Sequence, residues 1–263
     1  MTFYLSSVVG RRAALLGVGQ AAAVMASLDT TGAAFATPPQ TVAGHAAGLL
    51  VQFGQRLAVL PRRREFRSIP FMVSGPHEWD HEAAAEVLSY KYRALQVWDN
   101  SDLSGPCLSL MREAINGQVF AHGNRDFLAV SATHGSAHLS LFSQAAWDEH
   151  NLALLTDGRF ASNSFIREKP GASLADDLQN QDGFYGPSNN NIVSLQLRGV
   201  VFLACHDSIN AIARQLHSRN GVPADIIAAN LTNSLIPNVV LVPSVVAFLV
   251  ELQSVGFTYS KGS

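Results

Sequence analysis

The residues able to do chemistry fall into a few short clusters. Cys205-His206-Asp207 sets a thiol, an imidazole and a carboxylate side by side. Asp99 follows Trp98, Gly135 follows His134, and Ser244 follows Pro243. Cys205 stands between an apolar run and the start of a helical pattern. A helix N-terminus there would offer free N–H groups and positive potential, which stabilise a thiolate. A small cysteine finishing a buried strand is the competing reading. His206 is its neighbour in sequence, but neighbours on extended chain point to opposite sides. Cys107, near the start of another helix, could pair with Cys205 or simply pack, and packing is the preferred reading.

Two histidine pairs suggest metal chemistry and then argue against it. His77-Glu78-Trp79-Asp80-His81 matches H-E-x-x-H, in which two histidines on one helix face hold zinc and the glutamate activates water. Ser74-Gly75-Pro76 puts His77 in a first turn, and no third ligand is evident, so a solvated helix start is expected. In His134-Gly135-Ser136-Ala137-His138 the glycine breaks the helix between the histidines. The chain has no G-x-G-x-x-G, phosphate loop or C-x-x-C. No metal and no cofactor are expected.

The elements that must position these groups alternate. Strands are expected over 92–98, 127–131, 200–204, 239–242 and 257–259. Helices are expected over 79–89, 104–116 (closed by Gly117), 139–150, 191–197, 207–218, 223–233 and 244–255. Runs such as Val200-Val201-Phe202-Leu203-Ala204 are apolar without alternation, as strands buried on both faces are. Strand–helix alternation implies an α/β fold with a mostly parallel sheet covered on both faces. In such a sheet, ligands bind beyond the carboxyl ends of the strands. Asp99, His134, Gly135, Cys205, His206, Asp207 and Ser244 all lie at such ends. Residues 151–187 are rich in turn chemistry and form a long excursion.

The ends and the composition bound the partners. Arg11-Arg12 precedes an uncharged stretch over 13–28 and then Ala34-Phe35-Ala36. This predicts a cleavable twin-arginine signal peptide over residues 1–36, with a retained anchor as the alternative. An arm with a short helix is expected over 37–90 and one α/β domain over 91–263. In the arm, Arg62-Arg63-Arg64 is expected to be a solvated turn. With 18 basic and 20 acidic residues the formal charge is −2, which gives no support to a nucleic-acid partner. No second long apolar run follows residue 36, so no membrane span is expected after cleavage.

In its last third the sequence resembles the DsrE/DsrF-like superfamily, more narrowly that superfamily's exported branch. The resemblance is carried by Leu197 to His206, by Leu231-Thr232-Asn233-Ser234-Leu235-Ile236-Pro237, by Val239 to Pro243, and by Glu251-Leu252-Gln253 before Gly256-Phe257-Thr258-Tyr259. It extends through Trp98-Asp99 and His134-Gly135. The resemblance implies a three-layer fold around about five strands, a homo-oligomer, and sulfane sulfur carried as a persulfide on Cys205. A sulfur donor or acceptor would be the partner. His206, His134 or Asp99 would tune the thiol, and Asp207, Gly135 and Ser244 would complete the site. The family's Cys-His-Asn reads Cys205-His206-Asp207 here. The alternatives are a non-catalytic binding or scaffold protein of the same fold and, further off, a zinc hydrolase through His77 and His81. If the paired arginines direct export, replacing Arg11 and Arg12 by lysine leaves the uncleaved precursor in the cytoplasm. Cell fractionation reads this, and unchanged export would show another route.

Overall fold

Apolar runs flanked by helices assemble into one parallel sheet. β1 (Leu95–Asn100), β2 (Leu128–Thr133), β3 (Val201–Cys205), β4 (Val240–Val242) and β5 (Thr258–Lys261) lie in the order β4-β3-β2-β1-β5, each pair parallel. The computed structural model describes residues 48–263. The signal-peptide reading of 1–36 and the first part of the arm lie outside the described residues.

Helices cover both faces, which gives the three layers. α3 (Cys107–Asn116), α4 (Gln144–Glu149), α5 (Ile192–Leu197), α6 (His206–Asn220) and α7 (Ala224–Asn233) bury their apolar sides in one cluster with Trp98 and Phe202. α1 (Leu49–Val59), α2 (His81–Ser89) and α8 (Val245–Ser254) bury theirs in a second cluster with Val97, Val130 and Leu203. Gly221, at φ +73°, takes the left-handed conformation that ends α6.

Several boundaries differ from the sequence expectation. β1 begins later and runs on through Asp99 and Asn100, because the ladder to β2 continues there as Asp99↔Ala132 and Asn100↔Thr133. Its buried polar end is satisfied locally: the Asn100 amide donates to Ser131 Oγ (3.4 Å), which lies 2.9 Å from Thr133 Oγ1. The helix expected over 139–150 is broken in two. A 3-10 segment covers Gly135–Leu141, Phe142 bridges to Leu235, and Ser143 then caps α4 through Ala146 N–H. Gly117 does not close α3. It keeps helical angles, and the chain makes one further π-type turn over Gly117–Ala121.

The arm differs most. It holds two helices, α1 and α2, rather than one, and both pack on the sheet. Arg62-Arg63-Arg64 is not a solvated turn. Asp80 is fully buried, and its carboxylate accepts from Arg63 N–H (2.8 Å), Arg64 Nη1 and Nη2 (3.2 and 2.9 Å) and Leu241 N–H (2.8 Å). The Asp80 N–H donates to Leu241 O (3.1 Å), while Arg62 Nε and Arg64 Nη2 donate to Val239 O (3.2 and 3.0 Å). A local charge run carries no information about a partner on a distant strand. These bonds occupy outward backbone groups of edge strand β4, which would otherwise invite another strand.

Downstream, residues 65–79 continue as a strap. Phe66 exchanges hydrogen bonds with Asn233 (2.9 and 2.7 Å), and Ile69 N–H donates to Asp225 O (3.3 Å). Removing one partner of a buried ion pair leaves an uncompensated charge, so Asp80→Ala is expected to cost about 3–5 kcal/mol in urea unfolding. Glu86→Ala, which breaks the more exposed Arg56–Glu86 pair, costs less than about 1 kcal/mol. Equal losses in the two variants would show that the β4 edge does not depend on Asp80.

Candidate functional site

Side-chain parity decides which strand-end residues share a face. Leu95 and Val97 of β1 face the α1/α2/α8 layer, as do Leu128, Val130 and Ala132 of β2 and Val201 and Leu203 of β3. Continuing that alternation puts Asp99, His134 and Cys205 on the same face. Thr133 pairs with Ala204, so His134 and Cys205 fall at the next register position on adjacent strands. Tyr259 of β5 is in register with Val97 and shares the face too.

Three of these groups form a chain. His134 Nε2 lies 2.6 Å from Asp99 Oδ1, and the Tyr259 hydroxyl donates to Asp99 Oδ2 at 2.7 Å. The His134 and Asp99 side chains are 23% and 21% exposed, so solvent and small molecules reach them. Partial burial works to raise the Asp99 pKa. The bonds from Tyr259 and His134 outweigh it and hold the carboxyl below its ordinary value. Sequence reasoning missed Tyr259. The period-two pattern could have given its face, but nothing local names a partner 160 positions away.

Cys205 lies where the topology divides. α6 leaves β3 for one face of the sheet, and α8 leaves the adjacent β4 for the other. Strand ends of this kind form the crevice in which open parallel sheets bind ligands. Cys205 is only 2% exposed, and its Sγ accepts Val245 N–H (3.4 Å) in the first turn of α8. Asp207 N–H donates across the crevice to Pro243 O (3.3 Å).

The other expected site residues flank this row without joining it. His206 is buried on the other side of the strand, and its Nε2–H donates to Pro70 O (2.9 Å) and Phe71 O (3.2 Å) of the strap. Burial lowers its pKa despite those bonds, so it holds the strap as a neutral ring. The Asp207 side chain is exposed. Ser244 precedes α8, but its hydroxyl makes no cap bond. Gly135 donates its N–H to Ser208 Oγ (3.1 Å). At φ +56°, with a Cβ only 2.7 Å from Ser101 O, no other residue fits there without strain.

Cys107 and Cys205 are both free and buried, in different clusters on opposite faces, so they do not pair. Burial, with Asp99 nearby, pushes the Cys107 thiol up to about 12. Cys107 packs, as expected, and helps line a cavity of about 180 Å³ with Asn100, Ser109, Ala137, Ser140 and Asn190. The H-E-x-x-H match does not form a metal face. His77 and Glu78 sit in a 3-10 turn, Glu78 accepts Ser74 and Gly75 N–H, and His81 donates to Pro76 O. Among the described residues no three His, Cys, Asp or Glu side chains gather as metal ligands.

His138, beyond this row, is fully buried, and neither ring nitrogen has a partner among the described residues. Burial pushes its pKa down to about 3. A histidine held neutral in the fold but free to protonate when unfolded destabilises the fold as pH falls. Stability is therefore expected to be full above about pH 6.5 and to decline from there toward pH 3, with His206 contributing in the same direction. His138→Leu should flatten that decline in denaturant titrations at each pH, and an unchanged slope would assign it to other groups. No family model, curated protein or solved structure matches the chain.

Proposed function

We propose that this chain is an exported DsrE-like protein that holds sulfane sulfur as a persulfide on Cys205. The observation that supports the reading best is the place of Cys205. Its Sγ sits at the crevice between diverging helices and already accepts an N–H from the start of the ten-residue α8. The same donor, and the positive end of that helix, would stabilise a thiolate or a persulfide anion. His134 lies on the same face one strand away, and its partner Asp99 two strands away.

The chemistry is a sulfur exchange with no net redox change. The Cys205 thiolate attacks the outer sulfur of a donor R–S–SH. A bond forms between that sulfur and Sγ, the donor's S–S bond breaks, and R–S⁻ leaves and takes a proton. His206 is not part of this step, because its ring holds the strap. With Sγ buried, loading requires the crevice to open beside Asp207 and Pro243.

A second reading is a binding protein of the same fold. It is favoured by the burial of both thiols together with the cavity beside Cys107. Exposure of the folded protein to polysulfide, followed by mass spectrometry, separates the two. The sulfur reading expects added sulfur on Cys205, removed by a reductant, absent in Cys205→Ser and retained in Cys107→Ser. Absence of added sulfur in the folded wild-type protein would remove the sulfur reading and leave the binding protein.

A further inference from the structure

We infer that Tyr259, Asp99 and His134 form a hydrogen-bonded relay that positions a general base, His134 Nδ1, which takes the proton of the Cys205 thiol when a sulfur donor loads it; this rests on the sulfur-handling reading above. The relay is built from two short bonds in series, Tyr259 O–H to Asp99 Oδ2 and His134 Nε2–H to Asp99 Oδ1. A carboxylate only accepts when ionised, so the proton of a neutral His134 stays on Nε2 and the lone pair on Nδ1. Among the described residues no hydrogen bond to Nδ1 is made. A ring fixed in one tautomer, with its basic nitrogen free and its side chain partly exposed, has the form of a general base.

Place and access decide what the base serves. His134 occupies the register position next to Cys205 on one face of the sheet, yet Cys205 Sγ is bonded to Val245 N–H rather than to the ring. The imidazole is the more exposed of the two, so an incoming donor meets it before it meets the thiol. The proton balance closes within the site. Nδ1 takes the proton of the Cys205 thiol, directly or through the donor's own S–H. The thiolate attacks the outer sulfur of R–S–SH, and the departing R–S⁻ recovers a proton from the imidazolium. The products are Cys205–S–SH and R–SH. Tyr259 and Asp99 are positioning residues: they fix the tautomer and aim of His134 and touch neither sulfur. Among the described residues, the titratable groups tied to His134 by bond, register or charge are Asp99 on β1, on which Tyr259 and Lys261 of β5 act, Cys205 on β3 and His138 on the following 3-10 segment.

Two independent measurements on the whole protein test the relay. The first is the rate at which polysulfide loads Cys205, followed by mass spectrometry from pH 5 to 9 in the wild type, His134→Asn and Tyr259→Phe. General base catalysis is expected to make His134→Asn slower by about 100-fold and to erase the inflection of its pH profile. Tyr259→Phe removes a donor from Asp99, makes that carboxylate a stronger partner for the imidazolium, and should move the inflection to higher pH with its plateau kept. The second is the nitrogen NMR spectrum of His134, which needs no sulfur and should show the Nε2–H tautomer and the same upward shift in Tyr259→Phe. Wild-type loading rates in His134→Asn overturn the relay and leave the sulfur reading standing. An Nδ1–H tautomer, or no shift in Tyr259→Phe, also overturns it. No loading of wild-type Cys205 overturns both, whatever the NMR shows.

Discussion

One buried carboxylate fixes the arrangement on which the site depends. Asp80 is out of contact with water and carries a charge that the interior would not tolerate alone. Four N–H donors from two segments surround it: Arg63 and Arg64, just before the strap, and Leu241 of edge strand β4. The consequence is geometric rather than a large gain in energy, since a buried pair mostly repays its own desolvation. Once Asp80 is satisfied, α2 is tied to β4 and the strap must leave along the β4 edge. Phe66, Ile69 and Pro70 then fall against Asn233, Asp225 and His206 in turn. A segment far from Cys205 in sequence is thereby stitched beside the crevice that Cys205 occupies.

The two edges of the sheet are managed differently, and the difference bears on chemistry. The β4 edge is covered by guanidinium and carboxylate groups, which occupy its outward backbone groups. The β5 edge is short, partly exposed and carries Lys261, a residue type that discourages pairing. Its contribution is Tyr259, which reaches along the face to Asp99 of the neighbouring β1. A strand with little core to bury can present a polar side chain to a neighbour without disturbing packing. Strands β2 and β3 have no such freedom, being buried along their whole length.

The fold was legible wherever composition acted locally. In the last third, unalternating apolar runs between glycines gave β3, α6, α7, β4 and α8 to within about two residues. The strand ends then pointed to Asp99, His134 and Cys205 before any geometry was available. What stayed hidden depended on partners remote in sequence. Arg62-Arg63-Arg64 looks solvated until Asp80 and Val239 are placed beside it. Helix α1 has Gly54 at its centre, which obscures its pattern. Parity separated His206 from Cys205, as neighbours on an extended chain require, but only the strap carbonyls show what His206 does. The split at Phe142, between the 3-10 segment and α4, accompanies the pairing of Phe142 with Leu235, a contact that no local pattern encodes.

Burial of the thiol and partial exposure of the imidazole fit one another if the site carries sulfur. A persulfide is a strong nucleophile and is readily reduced by free thiols, so a carrier would gain from enclosing it. Enclosure alone would disfavour a charged sulfur and make loading slow. The remedy is to separate the tasks. On that reading a helix N-terminus would stabilise the anion at the enclosed sulfur, and a base that solvent can reach would handle the proton. Cys205 beneath Val245 N–H and His134 held by Asp99 and Tyr259 meet those two requirements on one face of the sheet. An opening motion must then link them. The single backbone bond from Asp207 to Pro243 and the His206 bonds to the strap are the contacts such a motion would have to release.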